Sequence, residues 1–104
     1  MKTLHKKGGY SPQIANEYID SKQPVVSLSV QLEKQFKFEN KKITDEINCY
    51  KAWFSQEGLP PFYVKFETEI ELPSYLSLIS FDNLQACEVA YNVYFKADDI
   101  KVVK

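Results

Sequence analysis

Alternation of apolar and polar positions runs through most of this chain, and it is clearest at the end. Tyr91, Val93, Phe95 and Ala97 fall on one side at period two, Asn92, Tyr94 and Lys96 on the other, and the β-branched and aromatic content suits a pleated backbone. Asp98-Asp99 breaks the rhythm before Ile100, Val102 and Val103 resume it. A bend, a bulge or a change of partner strand is expected there, and a closing strand with two neighbours can shut a small barrel.

Upstream, Ser11-Pro12 is a helix start, a hydroxyl N-cap followed by proline at the first helical position, where its missing N–H costs nothing. Ile14, Ala15, Tyr18 and Ile19 make one apolar stripe through about Asp20. From Val26 the even positions Val26, Leu28, Val30, Leu32, Phe36 and Phe38 predict a long first strand, bent near Lys34-Gln35. A polar turn at 39–42 leads to a second strand, Ile43 to Phe54, whose alternation dissolves into apolar and aromatic residues from Tyr50 onward. A punctuated turn, residues 55–61, precedes a third strand with Phe62, Val64, Phe66, Thr68, Ile70 and Leu72 inward and Lys65, Glu67, Glu69 and Glu71 outward. Pro73-Ser74 stops it; Tyr75 to Phe81 is a fourth strand, and 84–89 a short connector to the fifth.

The expected fold is therefore mainly β (α+β), a five-stranded OB-like small barrel with one short N-terminal helix, because no helical segment between strands is long enough for a crossover. Its core should hold Val26, Leu28, Val30, Ile47, Val64, Phe66, Ile79, Val93 and Phe95. Residues 1–9, with three lysines and Gly8-Gly9, are expected as a flexible basic arm, and 10–104 as one domain. No apolar run reaches the roughly 18 residues of a membrane span and the opening residues have no apolar core of a leader, so a cytoplasmic location is expected, with no membrane partner.

The charges narrow the chemistry. The formal net charge is −1. Residues 1–54 hold nine lysines against six acids and 55–104 four against eight, about +3 and −4. All thirteen cations are lysine; without arginine, bidentate reading of guanine edges in a duplex is not expected. The single histidine, His5, lies in the arm, and no phosphate loop or metal-ligand spacing occurs, so no enzyme, metal or cofactor is expected. Glu67, Glu69 and Glu71 read as a solvated strand face that discourages edge pairing. The Asp98-Asp99 pair reads as turn and strand-end residues, and Cys49 and Cys87 as buried free thiols.

One wording goes further. Tyr94-Phe95-Lys96-Ala97-Asp98-Asp99-Ile100 resembles the closing motif of a family of small proteins from Gram-positive integrative and conjugative elements, and the likeness extends loosely from Leu32 to Val103. The chain departs from that family where Gln35-Phe36-Lys37-Phe38 lacks a glycine and where no Asn-Pro follows Leu76 to Ser80. The resemblance implies an OB-like barrel and an accessory role in replication of element DNA, as a helicase-processivity or single-strand-binding factor. The residues themselves offer a surface for that role. Tyr50, Trp53 and Tyr63 are candidates for stacking unpaired bases, and Lys37, Lys51 and Lys65 for phosphate contacts, around strands two and three, the usual ligand face of an OB-fold. The competing expectation is that these rings merely rim the core. The alternative function is a protein-interaction adaptor whose apolar patch docks a helicase, relaxase or other enzyme without touching nucleic acid.

Overall fold

The computed structural model describes residues 9–103. The arm expected over 1–9, including His5, falls outside them apart from Gly9. The elements are α1 (Pro12–Tyr18), β1 (Val25–Ser27), β2 (Glu33–Glu39), β3 (Lys42–Ser55), β4 (Phe62–Phe66), β5 (Leu78–Asp82), β6 (Gln85–Val89), β7 (Asn92–Lys96) and β8 (Asp99–Val102). The helix starts as its sequence demands: Ser11 is extended, and its hydroxyl accepts from the Gln13 N–H at 3.2 Å.

The protein is mainly β with one short helix. The expected five-stranded barrel is not matched; the strands form an open eight-stranded sheet in the order β6-β7-β4-β3-β1-β5-β8, with β2 also on β3. Two long strands foreseen from the sequence are each divided. The first breaks over residues 28–32, not at Lys34-Gln35, and the last at Ala97-Asp98. The segment foreseen as a connector is strand β6, joined to β7 through Ala90, which takes the left-handed φ of 54°. The third strand stops at Phe66 although alternation runs on to Leu72, because its pairing ends there: the β3 ladder finishes at Tyr50–Phe66, and on the other edge the Ala97 N–H donates to the Lys65 carbonyl at 3.0 Å. Glu67, Glu69 and Glu71 are exposed and Ile70 buried, as alternation requires, but Thr68, expected inward, is exposed and Leu72 only half-buried, since the segment has left the sheet.

The fourteen-residue β3 organises the sheet. One edge carries β2 along Lys42–Lys51 and then β1 at Phe54 and Ser55, while the other carries β4 along Tyr50–Phe54. β4 pairs in parallel with β7, Val64 opposite Phe95 and Lys65 opposite Lys96. The chain then changes partner at the two acids, and β8 pairs antiparallel with β5. Asp99 Oδ1 accepts from the Ile100 N–H at 2.8 Å and Asp98 Oδ2 from the Asn83 amide at 3.2 Å, the strand-end roles the pair was expected to fill.

The core lies between the inner face of the sheet and α1. Phe54 from β3 meets Phe62, Phe66 and Phe81, the last at 4.9 Å between ring centroids, and Phe62 meets Phe95 at 5.4 Å. Ile14, Ala15 and Ile19 of the helix segment complete it. The Ser11 backbone exchanges two hydrogen bonds with Ala86 on the free edge of β6, and the Tyr18 hydroxyl donates to Glu88 Oε2 at 2.5 Å, so the helix is clamped to β6 at both ends.

Of the expected core, Val64, Phe66, Ile79 and Phe95 are buried and Val93 packs against it. Ile47 is half-buried, because it lies on the projecting β2–β3 hairpin. The first strand has the opposite phase to the one expected: Val25, Ser27 and Ser29 face inward, Val26 and Leu28 are half-buried, and Val30 is 81% exposed. The reason is volume. Ser27 stands directly opposite Phe54, whose ring fills the space a second large side chain would need. Ser29 also contributes a bond, its hydroxyl accepting from the Trp53 N–H at 2.8 Å where the β1–β3 ladder runs out. The Ser27 hydroxyl, in contrast, is fully buried without a hydrogen-bond partner. Ser27→Ala should therefore leave stability unchanged or raise it by about 1 kcal/mol, whereas Ser29→Ala should lower it by about 1–3 kcal/mol by orphaning the Trp53 N–H. Urea midpoints of the two variants provide the check.

Gln56 is a further buried polar device. Its carboxamide accepts from the Asp20 N–H at 3.0 Å and donates to the carbonyls of Asp20 at 2.7 Å and Gln23 at 3.2 Å, pinning the chain that leaves α1 to the end of β3.

Candidate nucleic-acid interface

Strand alternation sorts β3, β4 and β7 into two faces. Ala52 and Phe54, Phe62, Val64 and Phe66, and Phe95 point into the core, so Lys51 and Trp53, Tyr63 and Lys65, and Tyr94 and Lys96 stand on the outside. Register then aligns them. Lys51 is opposite Lys65, and Lys65 is opposite Lys96, which makes a row of three lysines across three strands. Trp53 is opposite Tyr63, and Tyr94 precedes the Phe95 that faces Val64, so a second row of three rings runs beside the first.

Two of the lysines reach the ring row diagonally, and the third reaches Tyr10, which precedes α1. Lys51 Nζ lies 4.6 Å from the Tyr63 ring centroid, Lys65 Nζ 5.6 Å from that of Tyr94, and Lys96 Nζ 4.5 Å from that of Tyr10. Each such contact contributes about 0.5–1 kcal/mol at an exposed site. Trp53 and Tyr63 meet edge to face at 5.4 Å, and Trp53, 40% exposed, donates its indole N–H to Glu33 Oε2 at 2.8 Å. Glu33 is itself opposite Lys51, so a single carboxylate ends the lysine row on the β2 side. A cleft of about 130 Å³ at the other margin is lined by Trp53, Tyr63, Pro61, Phe62, Val93 and Phe95.

Cys49, in phase with Lys51, and Cys87, opposite Tyr94, lie on this same face, buried among its side chains and not joined to each other. The Cys49 thiol donates to Gln35 Oε1 at 3.6 Å. Burial pushes the Tyr10 phenol well above its ordinary value, helped by its hydrogen bond with Cys87, and burial beside Tyr94 and Cys49 raises that of Tyr63. The stability these two phenols confer is complete below the ordinary phenol value near pH 10 and is lost as pH climbs through the raised values. Alkylation should find two thiols that react slowly in the folded protein and rapidly in denaturant; a fast-reacting cysteine in the native state would contradict their placement.

Of the six residues singled out in the sequence, Trp53, Tyr63, Lys51 and Lys65 come together here. Two do not. Tyr50 shares the opposite face with Ala52 and Phe54, because it is an odd number of residues from Lys51 and Trp53. Lys37 lies out on the β2–β3 hairpin, 3.6 Å from Glu46 Oε1. Tyr94, Lys96 and Tyr10 were missed. The outward direction of Tyr94 and Lys96 was readable from alternation, but nothing local announces that β7 pairs in parallel with β4.

Elsewhere, a cavity of about 310 Å³ between α1 and β5 has a mixed lining that includes Asn16, Asp20, Asn83 and Phe81. Among the described residues there is no group of three potential metal ligands, and no helix is long and apolar enough to cross a membrane. No family model, curated protein or solved structure matches the chain, so the geometry of this face stands alone as the guide to function.

Proposed function

We propose that this protein binds single-stranded DNA without sequence preference, as an accessory factor in the replication of a mobile element, through the outer face of β3, β4 and β7. The observation that carries the reading is the pair of rows. Like charges directly opposite one another across strands are destabilising, and three lysines in register with a carboxylate only at one end form a site an anionic chain would relieve. Aromatic rings alongside suit unpaired bases, which every sequence offers, and the absence of arginine agrees with a lack of sequence reading.

The strand plan supports the OB-like part of the proposal. If Val25–Glu39 is taken as one strand interrupted at 28–32, and Asn92–Val102 as one strand bent at Ala97-Asp98, the pairings run first to second (β3), second to third (β4), third parallel to fifth (β7), fifth to fourth (β5) and fourth to first, with β6 as an added edge. Fluorescence anisotropy with labelled single- and double-stranded oligonucleotides at two salt concentrations tests the function: single strands should bind more tightly at low salt, and duplex less. No binding to single strands at low salt would remove the reading.

The second reading, an adaptor for a helicase or relaxase, is favoured by one observation. Phe38 (67% exposed) and Ile43 (74%) face each other across the tip of the β2–β3 hairpin, beside the Phe36–Ile47 pair. This apolar arm continues the core face beyond the body of the sheet.

A further inference from the structure

In the free protein each lysine of the row occupies the face of a tyrosine, and that is the surface a base would need. The same ammonium groups are what a phosphate would need. Both demands are met if the contacts are exchanged, and the separations of 4.6, 5.6 and 4.5 Å are those of weak cation–ring contacts rather than of ion pairs. Among the described residues the ion pair is Lys37–Glu46, on the hairpin arm; the three row lysines have no carboxylate to give up. Their long, flexible stems let the head group swing without moving the strand.

Resting on the single-strand reading above, we propose that Lys51, Lys65 and Lys96 are movable caps: when a single strand crosses β3, β4 and β7, each leaves its ring for a phosphate and exposes that ring to a base. The geometry carries two consequences. The site extends past the two strands first expected, taking in Tyr94 and Lys96, since β7 continues both rows in register. It also has a closed end, because Glu33 opposite Lys51 repels a further phosphate, while at the other end of the row Gln85 stands opposite Lys96 and carries no charge. A bound strand therefore enters over β7 and stops at β3, with about three bases in contact with rings.

The test uses the full chain, Trp53 fluorescence and two probes, a short oligothymidylate and uncharged thymidine. Lys96→Gln, a surface change that leaves the core untouched, should weaken oligothymidylate binding and flatten its dependence on salt by about 0.7 in logarithmic slope. Tyr94→Leu should weaken it at every salt concentration with the slope kept. The triple variant Lys51→Gln, Lys65→Gln, Lys96→Gln should lose most oligothymidylate binding yet bind thymidine as well as the parent or better, its rings being uncapped. If Lys96→Gln and Tyr94→Leu both match the parent, the track ends at β4 and this extension is wrong, although the site on β3 and β4 stands. If the triple variant loses thymidine together with oligothymidylate, the lysines are not caps. A parent that ignores oligothymidylate at low salt overturns the single-strand reading and this inference together.

Discussion

Phe54→Ala should destabilise the protein by about 3–5 kcal/mol, the cost of deleting a fully buried ring from a core that cannot collapse around the void. Phe54 is 0% exposed and touches rings from β4 and β5, so its loss opens a cavity where the two halves of the sheet meet. With a total stability of about 5–15 kcal/mol expected for a domain, this one change removes a large share of it. The denaturant midpoint should fall with little change in slope, and Phe95→Ala, 2% exposed and in contact with Phe62 and Tyr18, should behave alike. Trp53→Leu, on the outer face of the same strand, should cost far less. Equal losses at Phe54 and Trp53 would mean that the two faces of β3 have been confused.

The largest effect on binding is expected from Trp53→Leu combined with Tyr63→Leu. Each ring that stacks a base contributes roughly 1–3 kcal/mol, so removing both should weaken single-strand binding by about thirtyfold or more. The leucines keep apolar cover over the sheet while deleting the flat surface. The loss should persist at all salt concentrations, since no charge is altered, which separates stacking from phosphate contact. Titration of a labelled oligonucleotide at low and moderate salt measures both. Parent-like affinity in a folded double variant would move the binding site off this face. The exposed Phe38–Ile43 arm would then be the surface to examine with candidate protein partners.

Tyr50 shows how a local reading of this chain goes wrong. It was grouped with Trp53 and Tyr63 because all three lie near one turn, yet parity along β3 puts it with Ala52 and Phe54. Lys37 belongs to a strand that does pair with β3, but it lies farther out along the β2–β3 hairpin than Glu33, which faces Lys51. Tyr94 and Lys96 point outward by alternation, but in sequence they belong to a strand that is not a neighbour of the strand carrying Tyr63 and Lys65. Only the parallel pairing of β4 with β7 brings them in.

What the sequence determined by itself are the features set by short-range sterics and hydrogen bonding. The Ser11-Pro12 cap starts α1, period-two alternation assigns the faces of β4 and β7, and Asp98-Asp99 marks where the last strand changes partner. The tertiary structure alone decided which strands are neighbours, where the long ones break, and which phase of β1 faces inward. Those choices depend on volume shared among distant residues. Val26, Leu28 and Val30 form as good an apolar stripe as any in the chain, but the inward position opposite the ring of Phe54 is taken by the small Ser27, with Val25 and Ser29 in the same phase.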